Sequence, residues 1–187
     1  MNDERNLKAL VVYESFFGNT QSIARAAAAG LRLEGLVAEA VDVGDAPGIE
    51  VDAFDLLVVG GPTHAFTLSR PSTRDDAVGR GGDSRYTARG LREWLSDLPI
   101  RDGTHLAAAF DTRVSKVRHL PMSAARSAAK ILRQRHFTLV TSPAGFVVQD
   151  VQGPLEQREM ERAISWGRFL ARETQARTEA ARELRSS

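Results

Sequence analysis

The stretch YESFFGNTQS, residues 13–22, combines the residue types that proteins use to bind a small anion. It joins a run of strand-forming residues to an alanine-rich run with helical spacing, so it leads into a helix N-terminus. Ser15, Asn19 and Thr20 offer short polar side chains, Gly18 permits a tight turn, and the first helical amides have no intrahelical acceptor. The pattern predicts an anion site without lysine or arginine. The alternative is an ordinary helix N-cap formed by Asn19 or Thr20.

A second stretch with possible binding chemistry is GGPTHAF, residues 60–66, which follows another predicted strand. Gly60 and Gly61 let the backbone approach a flat ligand, and His64 and Phe66 supply flat surfaces. The alternatives are a surface or capping histidine and a phenylalanine that anchors the core. Neither a P-loop (GxxxxGK[ST]) nor a GxGxxG fingerprint occurs in the chain.

A third polar stretch, FDTRVSK at 110–116, follows a further predicted strand. Its polar groups suit the pyrimidine-like edge of a ring system; the alternative is a solvated loop. In doubly wound sheets, ligands bind beyond the carboxyl ends of the strands, where the strand order reverses. The loops after the first, third and fourth strands are therefore the expected binding loops.

Alternating strands and helices must position these loops. The residues LKALVVY at 7–13 form a nearly continuous apolar run, typical of a strand that is covered on both faces. The order predicts an α/β fold with a parallel sheet and helices on both faces. Further strands are expected at 36–43, 55–59, 105–110 and, interrupted near Ser142-Pro143, at 137–141 and 145–149; helices are expected at 20–33, 88–98, 121–134 and 155–181, with a poorly formed helical turn at 49–54.

The polar stretch 67–86 is rich in glycine, arginine and aspartate, and it is longer than the loops that merely connect two secondary-structure elements. We expect a functional or disordered loop. It would be a lid over the ligand, a mobile solvated loop, or a docking surface for a nicotinamide phosphate through Arg70, Arg74, Arg80 or Arg85.

The composition excludes several function classes. The 187 residues fit one domain over 1–187, with a core at about 7–172 and a polar helical tail at 173–187. The chain has no cysteine, which excludes disulfides and thiolate chemistry, and a formal net charge of +1, which argues against nucleic-acid binding. No run is long and apolar enough to cross a membrane and the N-terminus lacks a signal-peptide pattern, so a cytoplasmic protein is expected. No metal-binding histidine pattern occurs.

The three loops carry a family resemblance. VVYESFFGNTQSIA resembles the flavodoxin signature, and GGPTHAF and AAAFDTR resemble the second and third flavin loops of that family. The similarity spans roughly residues 7–172. It implies a flavodoxin-like three-layer αβα sandwich with a five-stranded parallel sheet, order 2-1-3-4-5, and bound FMN.

The resemblance also implies which residues contact FMN. The phosphate would be wrapped by Ser15, Phe16, Phe17, Gly18, Asn19 and Thr20; the dimethylbenzene and N5 side of the ring would be bordered by Pro62, Thr63, His64, Ala65 and Phe66; the other face and the O2/N1 edge would be bordered by Phe110, Asp111, Thr112 and Arg113. No tryptophan follows the third strand, so Phe66, His64 or Phe110 would stack on the ring. Arg113 is expected to raise the two-electron potential.

Three functions compete. The first is an FMN electron-transfer protein that exchanges electrons with a redox partner protein of unknown identity. The second is a flavin enzyme of the quinone- or azo-reductase kind, with NAD(P)H or a quinone as a binding partner. The third is a flavin-free binding module on the same fold. The near-neutral charge does not support an acidic shuttle that docks onto basic partners.

Overall fold

The computed structural model describes residues 6–46 and 48–186; residues 1–5, Pro47 and Ser187 of the predicted domain lie outside them. The strands are β1 (Lys8–Tyr13), β2 (Val37–Asp42), β3 (Leu56–Pro62), β4 (Leu106–Val114), β5 (Thr138–Leu139) and β6 (Ala144–Val148). The helices are α1 (Asn19–Leu33), α2 (Pro71–Gly79), α3 (Leu91–Asp97), α4 (Ala124–Gln134) and α5 (Glu159–Ser186). Short 3₁₀ turns lie at Val43–Asp45, Val51–Ala53, Ser84–Tyr86 and Ser115–Val117.

All the strand pairs are parallel, and the sheet order β2-β1-β3-β4-β5 confirms the predicted topology. The fifth predicted strand is split as expected near Ser142-Pro143. Its first part, β5, pairs with β4 at Leu106 and Ala107, and its second part, β6, pairs with β4 from Phe110 onwards. The weak helical turn expected at 49–54 is the 3₁₀ turn Val51–Ala53.

Two apolar cores cover the two faces of the sheet and confirm the three-layer architecture, because successive residues of a strand point to opposite faces. One core, under α2, α3 and α4, includes Leu10, Val12, Leu57, Val59, Trp94 and Leu132. The other, under α1 and α5, includes Val11, Ile23, Val58, Phe110 and Leu170, with Trp166 packed against it. Trp94 therefore packs within one core and Trp166 against the other.

Helices α1 and α5 touch backbone to backbone. A Cβ atom added to Gly30 would lie 2.1 Å from the carbonyl oxygen of Ile164, and one added to Gly167 would lie 2.1 Å from that of Ala27. At the end of α1, Glu34 pairs with Arg168 and Arg172 of α5. The two glycines thus set how closely α5 approaches α1, the helix that follows the loop between β1 and α1.

The prediction of a long loop at 67–86 is wrong. Most of the segment is ordered as α2 and the turn Ser84–Tyr86. Pro71 lies at the first helical turn, where its missing N–H costs nothing, and the Thr73 hydroxyl accepts a hydrogen bond from the Arg70 amide. The Tyr86 hydroxyl donates to Asp42, so the end of the segment is anchored to the end of β2.

Several element boundaries also differ from the predictions; α3, for example, begins at Leu91 rather than at residue 88. Helix α4 begins at Ala124 rather than at Pro121, because the Ser123 hydroxyl accepts from the Arg126 amide and caps it. Helix α5 begins at Glu159 rather than at residue 155 and remains helical to Ser186. Strand β4 continues to Val114. Within the described residues, no helix is both long and apolar enough to span a membrane.

Candidate functional site

The carboxyl ends of β1, β3 and β4 lie side by side and surround a cleft. The sheet order places β1 next to β3 and β3 next to β4, so the three loops singled out in the sequence meet at one edge. The cleft is lined by Ser15, Phe16, Phe17, Asn19, Thr20, Pro62, Thr63, His64, Ala65, Thr73, Asp76, Ala77, Arg80, Thr112, Arg113, Val114, Val148 and Val151.

The loop between β1 and α1 leaves its backbone amides free. Gly18 has φ 83°, a left-handed conformation that suits glycine. The Ser15 hydroxyl accepts from the Gln21 amide at 3.1 Å, and the Phe16 carbonyl accepts from the Asp83 amide at 3.0 Å. Within the described part of the chain, the amides of residues 16–20 donate to no other residue. The loop therefore presents five free N–H groups at the start of a helix.

Asn19 and Thr20 do not cap α1, so the N-cap alternative does not account for them. The Asn19 amide group donates to the Gln152 carbonyl at 3.1 Å and packs against Gly153. The buried Thr20 hydroxyl lies 2.8 Å from the Thr112 hydroxyl on β4. These contacts fix the loop to β4 and to the turn that follows β6.

The segment after β3 forms a strained two-residue hairpin turn. His64 and Thr67 exchange backbone hydrogen bonds of 2.9 and 3.1 Å, and the two residues between them, Ala65 and Phe66, have φ 45° and 67°. This is the pattern of a type I′ turn, which favours asparagine and glycine. Ala65 lines the cleft, whereas Phe66 does not and is 40 % exposed.

His64 is held at the cleft by an edge-to-face contact with Phe16, at a centroid distance of 5.2 Å. Burial lowers the pKa of His64, the Arg80 guanidinium lowers it further, and Asp76 opposes the shift. The lowered pKa favours the neutral imidazole, in which one ring nitrogen can donate while the other accepts a hydrogen bond.

Phe110 and Asp111, which were assigned to the third loop, are buried beneath the cleft. Phe110 is completely buried and packs edge-to-face against Phe146 and Trp166 on the α5 side of the sheet. Its ring also fills the space over Gly60, where an added Cβ would lie 2.0 Å away. The expectation that Phe110 stacks on a ligand is wrong. Strand β4 continues beyond Phe110, and because side chains alternate between the two faces of a strand, the Phe110 side chain points into the core.

Asp111 and Arg113 form a two-point ion pair. Arg113 Nε lies 2.7 Å from Asp111 Oδ1, and Nη2 lies 3.0 Å from Oδ2. Asp111 is fully buried and also accepts from the Ala125 amide at the start of α4. Of the pair, only Arg113 lines the cleft. The charges of Asp111 and Arg113 therefore largely neutralise each other.

One wall of the cleft was not identified from the sequence. Helix α2 contributes Thr73, Asp76 and Ala77, and Arg80 follows directly after it. Val148, at the end of β6, and Val151, in the turn after β6, also line the cleft. The proline at Pro71 was the available signal for α2, because proline is favoured in the first turn of a helix.

The four arginines considered for nicotinamide binding divide into two groups. Arg74 is fully buried and pairs with Glu93 at 3.0 Å, and Arg85 pairs with Asp83 at 2.8 Å. Both are therefore engaged within the protein. Arg70 and Arg80 are exposed and have no carboxylate at ion-pair distance among the described residues. Arg80 alone of the four lines the cleft.

A scan against models of protein families matched none, and a search among curated proteins found no relative. Many solved structures resemble the chain. A flavodoxin from the domain Archaea has a TM-score of 0.60 at 16 % identity, over 90 % of this chain and 99 % of that one. The flavodoxin of Streptococcus pneumonia TIGR4 has a TM-score of 0.60 at 17 % identity, over 89 % and 99 %. A flavodoxin, WrbA-like protein from Agrobacterium tumefaciens has a TM-score of 0.56 at 17 % identity, over 92 % and 99 %.

Proposed function

Starting from the flavodoxin-like fold of this chain, we propose that it binds FMN in the cleft and transfers electrons between redox partners. The observation that carries the proposal is the group of free amides at residues 16–20, beside the hydroxyls of Ser15 and Thr20. Neutral donors at a helix N-terminus match the requirements of a phosphomonoester. The donor set therefore fits the phosphate of FMN.

The remaining walls fit a flat aromatic ring. Pro62, His64 and Ala65 would border one side, and Val114, Val148 and Val151 would supply an apolar surface on the other. Thr112 and Arg113 would border the polar edge. Bound FMN would supply the redox chemistry, by accepting and returning one or two electrons, while the protein holds and tunes it.

The hairpin turn and His64 supply hydrogen-bonding groups to this site. Within the described residues, the peptide groups of Ala65 and Phe66 make no backbone hydrogen bonds. A carbonyl of the turn is therefore available to accept a hydrogen bond from an N–H or O–H group. The neutral imidazole of His64 can hold a proton at one nitrogen. His64 and Ala65 both line the cleft.

Purification followed by flavin extraction tests the proposal. Protein that contains FMN, or takes up added FMN, should be reduced by dithionite and reoxidised by an external acceptor such as ferricyanide without a second substrate. Colourless protein that fails to take up FMN would instead favour the flavin-free binding module.

A second candidate is an FMN-dependent NAD(P)H quinone- or azo-reductase. Arg80 favours it, because this exposed cation lies on the cleft wall and could pair with a nicotinamide phosphate. Rapid mixing of the FMN-loaded protein with NADPH and NADH separates the two functions. Fast flavin reduction that slows in Arg80→Gln would favour the reductase; flavin that stays oxidised removes it.

A further inference from the structure

The chain carries an uneven charge distribution along its sequence. Residues 112–149 contain no aspartate or glutamate but hold seven lysines and arginines. The segment comprises the end of β4, the loop that follows, α4, β5 and β6. Because β4 ends at the cleft, part of this positive segment lies at the cleft mouth.

Six exposed residues form a surface that we call the basic rim: Phe66, Lys116, Arg118, Leu120, Met122 and Arg126. The apolar members are open to solvent, with Met122 61 %, Leu120 43 % and Phe66 40 % exposed. A cluster of exposed apolar side chains among charged ones is typical of a protein–protein interaction site.

Hydrogen bonds bring the two parts of the basic rim together. The Ala124 amide donates to the Thr63 hydroxyl at 3.0 Å, and the hydroxyls of Thr67 and Ser127 lie 2.8 Å apart. The hairpin turn that carries Phe66 is therefore fixed against the first turn of α4. Lys116 follows Val114, which lines the cleft, by two residues.

The cations of the basic rim are not neutralised. Among the described residues, no carboxylate lies within ion-pair distance of Lys116, Arg118 or Arg126. Some arginines elsewhere do have carboxylate partners, as Arg168 does with Glu34 at 2.6 Å. The rim therefore combines positive charges that are not neutralised with exposed apolar side chains.

We infer that the basic rim is the docking surface for an acidic electron-transfer protein. The exposed apolar side chains of Phe66, Leu120 and Met122 favour a protein over a nucleic acid, since phosphate contacts dominate nucleic-acid binding whereas apolar and aromatic residues contribute most to protein interfaces. The positive charges would steer a negatively charged partner onto the cleft mouth. The redox role of this surface rests on the proposed function; the docking itself does not.

Binding of a plant-type [2Fe–2S] ferredoxin, a small acidic redox protein, tests the inference. Biolayer interferometry on flavin-loaded and flavin-free protein should give binding at low salt that weakens about tenfold between about 20 and about 200 mM NaCl. Mitochondrial cytochrome c, a basic redox protein, should not bind. Met122→Ala should weaken ferredoxin binding at both salt concentrations.

Charge reversal locates the surface. The triple variant Lys116→Glu, Arg118→Glu, Arg126→Glu should weaken ferredoxin binding at least about tenfold. The matched triple variant Arg25→Glu, Arg133→Glu, Arg182→Glu changes the net charge equally at exposed positions outside the rim and should bind within about twofold of the parent.

Several results would overturn the inference: no ferredoxin binding, equal losses in both triple variants, or tighter binding of a short DNA duplex than of ferredoxin. Protein that takes up no FMN but binds ferredoxin through the rim would disprove the proposed redox function alone, and the docking surface would stand.

Discussion

The turn at Ala65 and Phe66 places two ordinary L-residues in the left-handed region, at φ 45° and 67°. Each such residue costs roughly 1–2 kcal/mol relative to glycine, and only the surrounding hydrogen bonds hold the turn in place. The strained turn lies beside the proposed FMN site, where a fixed orientation of its peptide groups would favour FMN binding.

Replacing Ala65 with glycine should therefore stabilise the protein by roughly 0.5–1 kcal/mol, because relief of the left-handed strain exceeds the added chain entropy. Urea unfolding of Ala65→Gly measures this change. The control, Ala176→Gly on the exposed face of α5, should cost up to about 1 kcal/mol. Equal losses in the two variants would show that the turn stores no strain.

Glu14 provides a pH-dependent contribution to stability. Its side chain is 1 % exposed and accepts from the Leu91 amide at 2.7 Å, while Oε1 has no hydrogen-bond partner of normal geometry among the described residues. Burial raises the pKa of this carboxyl above its ordinary value of 4.5, although neighbouring Ser69, Leu91 and Arg74 oppose the shift. The folded protein thus holds this proton at pH values where the unfolded chain has lost it.

Because a raised pKa makes the folded state bind more protons, the stability that protonated Glu14 provides is lost as the pH rises from about 4.5 through the folded-state pKa. Glu14→Gln cannot ionise, so its stability relative to the parent should increase between pH 4.5 and pH 8. Denaturant melts across that range test the sign. The exposed variant Glu39→Gln is the control, and a relative stability of Glu14→Gln that falls with pH would contradict the assignment.

The Asp111–Arg113 ion pair keeps one side of the cleft nearly neutral. Arg113→Gln would leave the buried carboxylate uncompensated and make that side more negative, which disfavours added electrons. The two-electron midpoint potential of the FMN-loaded protein should fall. Arg113→Lys and the double variant Asp111→Asn, Arg113→Gln should restore most of the loss, and a potential that does not fall in Arg113→Gln would contradict the prediction.

The sequence allowed some site residues to be assigned and not others, for a physical reason. The loop at 15–20 could be predicted because a tight turn, short polar side chains and a helix start are local features. The role of Phe110 could not, because β4 extends beyond it only through pairing with Gly61 and Pro62 of β3 and with β6. That extension decides which side chains face the core.

At the scale of elements, the backbone contact between α1 and α5 fixes the position of α1, which follows the loop at residues 15–20. A side chain at Gly30 would meet the backbone of α5, which cannot move aside as a flexible side chain could. Gly30→Ala should therefore destabilise the protein by about 3 kcal/mol despite alanine's higher helix propensity.

Thermal or urea unfolding measures the effect of Gly30→Ala. Gly79→Ala, at the end of α2, is the matched control: a Cβ there meets nothing within 4 Å, and the change should be neutral or slightly stabilising. Similar stabilities of the two variants would show that the helices have room to separate.

Helix α2 shows the limits of sequence patterns at this scale. Its sequence is polar, like that of a loop, and lacks the apolar periodicity that indicates a helix. Tertiary contacts hold the helix in place instead: the ion pair of buried Arg74 with Glu93, and Ala77 packed in the core. The strands were easier to predict, since their apolar runs are continuous.

At the scale of the whole molecule, the sheet order places the binding loops at the point where the chain reverses direction across the sheet, between β1 and β3. The order could be predicted from the alternation of strands and helices together with the family resemblance. The α2 wall and the basic rim could not, because they arise from segments distant in sequence that meet only in the fold.

The central claim is that free amides at residues 16–20 hold a phosphate. Isothermal titration of the purified protein with FMN and with riboflavin, which differ only by that phosphate, tests it most directly. Charge-assisted hydrogen bonds to several amides should make FMN bind at least about 100-fold more tightly than riboflavin. Equal affinities, or no binding of FMN, would contradict the account.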